Sequence, residues 1–215
     1  VRAIRTALIL VMLALFLPLC PHAADAQEAF EFGDAPSPYP TLLADNGACH
    51  LMAYLAWLGS SADVELDGFP DPQALGDDLN NIDDEDGVIF TTLVPGRTMR
   101  VQVASMVSAV TGALISGWID FNRDGDWSDA GEKILTDVPA PHLAYSQAVD
   151  VAVPADASLG STYARFRIST MSGLTFEGVA GDGEVEDYLV DIVTLDWGDA
   201  PDTYFTLATN YGAHH

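Results

Sequence analysis

Positive charge is what this chain lacks most. Its 215 residues carry eight Lys and Arg against 32 Asp and Glu, a formal net charge of −24 at pH 7. Such a chain repels phosphates, which argues against nucleic acid and anionic membrane surfaces as partners. Cysteine is scarce: only Cys20 and Cys49 occur, so no disulfide framework is expected in the mature protein. Cys49 lies beside His50, but nothing else in the chain has zinc-ligand spacing. Long apolar runs are missing after Leu19, so no membrane span is expected in the mature part. There is also no G-x-S-x-G elbow, no H-E-x-x-H pair and no phosphate-cradling glycine loop. Paired carboxylates could form a glycosidase dyad, but with acids this abundant any pairing is uninformative. No catalytic residue and no organic cofactor site is assigned, and the chain is read as non-enzymatic.

What is present begins with an export signal. Arg2 and Arg5 form a positive start, Ala7 to Leu19 an apolar run too short to span a bilayer comfortably, and Ala24-Asp25-Ala26 a small-residue cleavage site. Cleavage is placed before Gln27, making residues 1–26 a signal peptide. The bulky Leu19 before Cys20 departs from a lipoprotein pattern. The mature protein is therefore expected to be secreted, in the extracellular medium or at the cell surface, where calcium is abundant.

The chain also repeats itself. FGDAPSPYPTLLADNGACH, Phe32 to His50, returns as WGDAPDTYFTLATNYGAHH, Trp197 to His215. A repeat of this length implies a domain array rather than a solenoid. Residues 196–215 read as the start of a second, truncated repeat, and neighbouring modules of a longer chain are expected partners.

Within the unit, residues 27–87 are rich in Pro, Gly, Asp and Asn and weak in apolar periodicity, as in PSPYP, DGFPDP and GDDLNNIDDEDG. They read as a loop-rich acidic segment packed on a β-sandwich formed by the residues after them. LMAYLAWL, Leu51 to Leu58, fits either a short helix or a strand. Residues 88–195 change character. VIFTTLV, MRVQVASM, ALISGWIDF, KILTDV, SQAVDVAV, TYARFRIST and EDYLVDIV are short, rich in β-branched and aromatic residues, and separated by turns. Met99, Val101 and Val103 alternate with Arg100, Gln102 and Ala104. About seven such segments predict an all-β fold, an antiparallel β-sandwich of immunoglobulin or jelly-roll type.

The acids are clustered, which solubility does not require. WIDFNRDGDWSDAGEKI, Trp118 to Ile134, opens as a calcium loop: Asp120, Asn122 and Asp124 alternate and Gly125 comes next, the D-x-N-x-D-G start of an EF-hand. Calcium takes six to eight oxygens, and alternate side chains of a tight turn converge on one point. Asp126 would offer its backbone carbonyl and Ser128 a bridging water. The closing acid is Glu132, one residue late, or Asp129. The flanks alternate as strands, with Ile115, Ile119 and Phe121 before and Ile134 and Val138 after, so the ion would order a hairpin loop. No helix pair is there to open, and the role of the ion is structural rather than sensory. A second cluster contains Asp77, Asp78, Asp83, Asp84 and Asp86, without a standard spacing. A third contains Glu184 and Glu186, on one face of a strand, for which a metal and a salt link to Arg165 or Arg167 are both open.

GDAPSPYPTLLADNGACH, LGSSADVELDGFPDP, GDDLNNIDDEDGV, WIDFNRDGDWSDAGEKI, YARFRIST and GEVEDYLV together give a specific pattern. In it the chain resembles the bacterial module named for its GEVEDY motif, which stands here as Gly183 to Tyr188. Cys49 departs from the polar residue that usually precedes the histidine. The resemblance implies a part of a large secreted or surface protein, often in tandem with other β modules. The reading is a calcium-stabilised surface or adhesin-like module for spacing, display or adhesion, with surface glycans or proteins as candidate partners. The alternative is a carbohydrate-binding or accessory module of a secreted enzyme, with Trp57, Trp118 and Trp127 stacking on sugar rings.

Overall fold

The computed structural model describes residues 29–76 and 84–196, with residues 200, 202–205, 207, 209 and 214 beyond them. The proposed signal peptide, Asp77, Asp78 and Asp83, and most of the second repeat copy lie outside the described residues.

Eleven strands are described: β1 Phe30–Phe32, β2 Cys49–Leu51, β3 Ala56–Leu58, β4 Val88–Phe90, β5 Thr98–Val107, β6 Ala113–Ile119, β7 Lys133–Ala140, β8 Leu143–Ala152, β9 Gly160–Ser169, β10 Val179–Ala180 and β11 Glu184–Ile192. Among the described residues, the helical elements are single 3-10 turns at Leu43–Asp45 and Asp202–Tyr204. Each of the seven segments expected to be strands contains one. In one sheet, β5 pairs with β8 along one edge and with β3 and β4 along the other. The second sheet runs β11-β9-β6-β7, all antiparallel. Pro139 lies in β7, at the edge of that sheet, where a missing N–H breaks no ladder.

The strand alternation decides what fills the space between the sheets. Met99, Val101 and Val103 of β5 and Val151 of β8 point inward, toward Ile115 and Ile119 of β6, Phe166 and Ile168 of β9, and Val190 and Ile192 of β11. Arg100 and Gln102 stay outside on β5. Each fully buried aliphatic or aromatic side chain contributes about 1.5–3 kcal/mol. Phe166 meets Phe90 and Tyr188 edge-on, at 5.7 and 6.3 Å between ring centres. This is the expected sandwich core.

The segment read as loop-rich also supplies β1, β2 and β3, and LMAYLAWL resolves into the end of β2 and all of β3. β1 and β2 join β10 in a small third sheet, whose β2–β10 pairing is parallel. These strands are only three residues long or shorter, below the length at which alternation can be read. A second apolar cluster, Ala35, Tyr39, Trp118, Trp127, Leu174 and Ala180, forms on the outer face of β6 and β9. The N-terminal segment and the β9–β10 connection cover that face, so β9 is buried on both sides. That second layer is why Arg165 and Arg167, which alternate with core residues, are not in water.

Candidate functional site

The loop between β6 and β7 is a hairpin connection, as its flanking alternation requires. It turns on local carboxylate-to-backbone bonds. Asp120 accepts from the Arg123 N–H at 2.5 Å through Oδ1 and from the Gly125 N–H at 3.0 Å through Oδ2. Gly125 has φ of +94°, and a Cβ there would stand 2.5 Å from Pro38 Cγ, so the tight turn and the overlying segment both call for glycine. Asn122 Oδ1 accepts from the Asp124 N–H at 2.9 Å, and its Nδ2 donates to Asp124 at 3.0 Å and to Asp129 at 2.5 Å.

Glu132 is buried and closes the loop from the far side. Its carboxylate accepts from the N–H groups of Phe121 at 3.1 Å and Asp129 at 3.2 Å. Burial pushes its carboxyl up to about 7, and the charges of Asp120 and Asp129 add to the effect. Asp120, Asn122, Asp124, Asp129 and Glu132 thus come together. The Asp126 side chain is occupied with the Ser128 N–H at 2.7 Å, which leaves its carbonyl as the group it could offer. A cleft of about 320 Å³ borders the loop, lined by Phe121, Asn122, Asp129, Glu132, Pro154 and Asp156. Asp156, on the β8–β9 connection, brings in a carboxylate that no local spacing reveals.

The loop's own cations turn away from it. Arg123 donates to the carbonyls of Leu159 at 2.5 Å and Ser161 at 2.9 Å, and Lys133 donates to the Leu174 carbonyl at 2.8 Å. The N-terminal segment reaches the loop instead: the Tyr39 hydroxyl donates to Asp120 Oδ2 at 2.6 Å. Burial and that carboxylate push the Tyr39 phenol up, so it stays a donor.

GEVEDY sits at the turn into β11 and along its first half. Gly183 has φ of +102°, and a Cβ there would fall 1.8 Å from the Ile168 carbonyl oxygen, so no side chain fits. Pairing sets Asp187 opposite Arg165 and Val185 opposite Arg167. Arg165 grips Asp187 bidentately, at 2.7 and 2.6 Å, with both side chains fully buried. It also donates to the carbonyls of Pro40 and Phe176 and lies 4.6 Å over the Trp127 ring. Arg167 donates to His50 Nε2 at 2.8 Å and to the carbonyls of Thr175, Glu177 and Gly178. His50 Nε2 must then be the acceptor, so its Nδ1 donates to the Asp182 carbonyl at 2.7 Å.

The salt link left open for Glu184 and Glu186 is therefore excluded. With a side-chain period of two, Arg165 and Arg167 share a face with Asp187, and Glu184 and Glu186 lie on the other. The glutamates reach the segment that carries the second acidic cluster. Glu184 Oε2 accepts from the Leu58 N–H, and Glu186 accepts from the Gly87 N–H at 2.9 Å and the Tyr188 hydroxyl at 2.8 Å. Burial pushes both carboxyls up, Glu186 to about 8. Each glutamate feels Asp84, Glu184 also feels Glu186 and Glu85, and Glu186 also feels Asp86. Asp84 accepts from the Asp63 N–H at 2.9 Å, and Asp86 accepts from the Ser60 N–H at 2.8 Å. Two clusters far apart in the sequence are thus neighbours in the fold. Among the described residues, no group of three acidic, histidine or cysteine side chains is already arranged to hold a metal ion.

One further sequence reading changes. Trp118 and Trp127 are each 2 % exposed, Trp127 donating to the Tyr163 carbonyl at 3.1 Å, so neither can form a sugar-stacking platform. Cys49 is buried.

The acidic hairpin loop and the GEVEDY turn fall within one recognisable stretch. Residues 114–191 match the family model of the GEVED domain. This stretch is a GEVED-type domain. The GEVED region thus runs from β6 through β11 and includes the loop, the Arg165–Asp187 pair and the GEVEDY turn. No curated protein matches the chain. Among solved structures, the CARDB domain of a Pyrococcus furiosus protein, crystallised in complex with di-metal ions, is similar over 50 % of this chain and 90 % of that one. The identity is 10 % and the TM-score 0.29, too low to carry an argument.

Proposed function

We propose that this chain is a non-enzymatic, calcium-stabilised module of an exported bacterial surface or adhesin-like repeat protein, serving spacing, display or adhesion. The observation that carries it is the loop after β6. Buried Glu132 and Asp120 face one loop that also holds Asp124 and Asp129, while Arg123 and Lys133 donate elsewhere. Packing carboxylates together without a cation costs free energy, and a bound cation offsets that cost while ordering the loop. Oxygen-only donors from carboxylates, an amide and a backbone carbonyl suit a hard ion such as calcium.

Asp120, Asn122, Asp124, Asp129 and Glu132 would supply side chains, and Asp126 its carbonyl. The ion would pin the hairpin to the sandwich and, through Tyr39, to the N-terminal segment, giving a stiff unit to place beside further modules. Secretion through the N-terminal signal and display outside the cell supply the calcium that this design uses. The test is calcium binding by the full chain against Glu132→Gln and Asp124→Asn. Each variant should weaken binding at least tenfold while keeping the β-sheet circular dichroism. Unchanged affinity in both would remove the loop from the proposal.

A further inference from the structure

The GEVEDY glutamates face a second buried carboxylate group that the loop reading does not use. Glu184 is 1 % exposed, and its Oε1 has no hydrogen-bond partner. Asp63 is 8 % exposed, and neither of its carboxylate oxygens has a partner. A buried carboxylate oxygen without a donor is expensive, and such groups are normally paired or bound to metal.

The backbone draws these residues together. Glu184 holds the Leu58 N–H, and Gly87 packs directly on Leu58 and Gly59, where a Cβ would meet Leu58 Cβ and Gly59 N at 2.6 Å. Glu186 holds the Gly87 N–H on that same segment, and Asp84 holds the Asp63 N–H. The end of β3, the Asp84–Gly87 segment and the start of β11 therefore meet, with Glu184, Glu186 and Asp84 among the side chains that link them.

Five of the chain's eight cations are engaged elsewhere. Arg165 and Arg167 face the opposite side of β9 with Asp187 and His50. Arg100 pairs with Asp150, and Arg123 and Lys133 bind carbonyls elsewhere.

We propose that Glu184, Glu186 and Asp84, with Asp63 beside them, bind a hard divalent cation of the calcium class, separate from any ion in the β6–β7 loop. The ion would tie the N-terminal segment to β11 at the GEVEDY motif, giving its two glutamates a ligand role distinct from the structural role of Asp187. Glu184 supplies the free oxygen. Glu186 keeps its bonds to Gly87 and Tyr188 and contributes a remaining lone pair.

The inference takes from the calcium reading only the class of ion, and the two sites can fail independently. Equilibrium dialysis of the full chain at pH 7 counts bound calcium in the wild type, in Glu184→Gln, in Glu184→Gln with Asp84→Asn, and in the loop variant Asp124→Asn with Asp129→Asn. The cluster variants should each lose one equivalent, and the loop variant should keep it. Terbium, excited through Tyr188 beside Glu186, gives a local second readout. Its long-lived emission should survive in the loop variant and fall severalfold in Glu184→Gln, a near-isosteric change chosen to preserve the fold. If Glu184→Gln leaves both stoichiometry and emission unchanged, the proposal is overturned. It is equally overturned if the variant stabilises the calcium-free protein with no loss of bound ion, because the carboxyls would then be sharing protons.

Discussion

The Tyr39 hydroxyl and Asp120 lie 81 residues apart in sequence and 2.6 Å apart in the structure. The bond ties the N-terminal segment to the first acid of the hairpin loop, in a buried position. A hydrogen bond to a charged group is worth about 1.5–3 kcal/mol. Tyr39→Phe should therefore cost about 2 kcal/mol in urea unfolding and also weaken the proposed calcium binding, since Asp120 loses its fixed orientation. Unfolding with and without calcium checks both effects.

Arg165 and Asp187 make the one fully buried ion pair among the described residues. Removing one partner of such a pair leaves an uncompensated charge and typically costs about 3–5 kcal/mol. Asp187→Asn should lower the denaturant midpoint accordingly. Asp150→Asn, which breaks the exposed pair with Arg100, should leave the midpoint unchanged within error.

Much of this could be read in the sequence. Met99, Val101 and Val103 against Arg100 and Gln102 announce a half-exposed strand, and β5 is one. The seven main strands and the hairpin setting of the loop come from the same periodicity. Arg165 and Arg167 misled for a physical reason. Alternation separates two faces but does not say that a second layer covers the polar one, so their partners Asp187 and His50 could not be read locally. Asp63, Asp156 and Tyr39 were missed because they reach their sites through tertiary packing. The proximity of Asp84 to Glu184 and Glu186 has the same origin.

Gly183 starts the GEVEDY motif for a steric reason. Its φ is +102°, and any Cβ would collide with the Ile168 carbonyl. Gly183→Ala should destabilise by at least the roughly 1–3 kcal/mol of a strained backbone, with the collision adding to it. Thermal unfolding should show a clear loss, whereas Gly173→Ala, where a Cβ meets nothing within 4 Å, should suffer only the backbone term.

His50 gives the fold an acid sensitivity of known sign. Burial, with Arg167 beside it, holds the imidazole well below its ordinary range, so the folded protein keeps it neutral. The unfolded chain binds a proton near pH 6.5 and the folded one does not. Stability from this residue is thus present above about pH 6.5 and is lost as pH falls below it. The stability difference between wild type and His50→Gln, measured in saturating calcium, should shrink from pH 7 to pH 5. A difference independent of pH would contradict the buried neutral state.

The proposed structural role of calcium is tested most directly by thermal unfolding of the full chain at pH 7 in millimolar calcium and in excess chelator, with native mass spectrometry of the same samples. Burial raises the Glu132 carboxyl to about 7 and that of Glu186 to about 8. Without an ion, the stability these groups contribute is therefore full below about pH 4.5 and lost as pH rises through those values. Calcium should raise the melting temperature by several degrees at pH 7, by less at pH 5, and appear as bound mass. Equal melting temperatures with and without chelator, and no bound metal by mass, would contradict it.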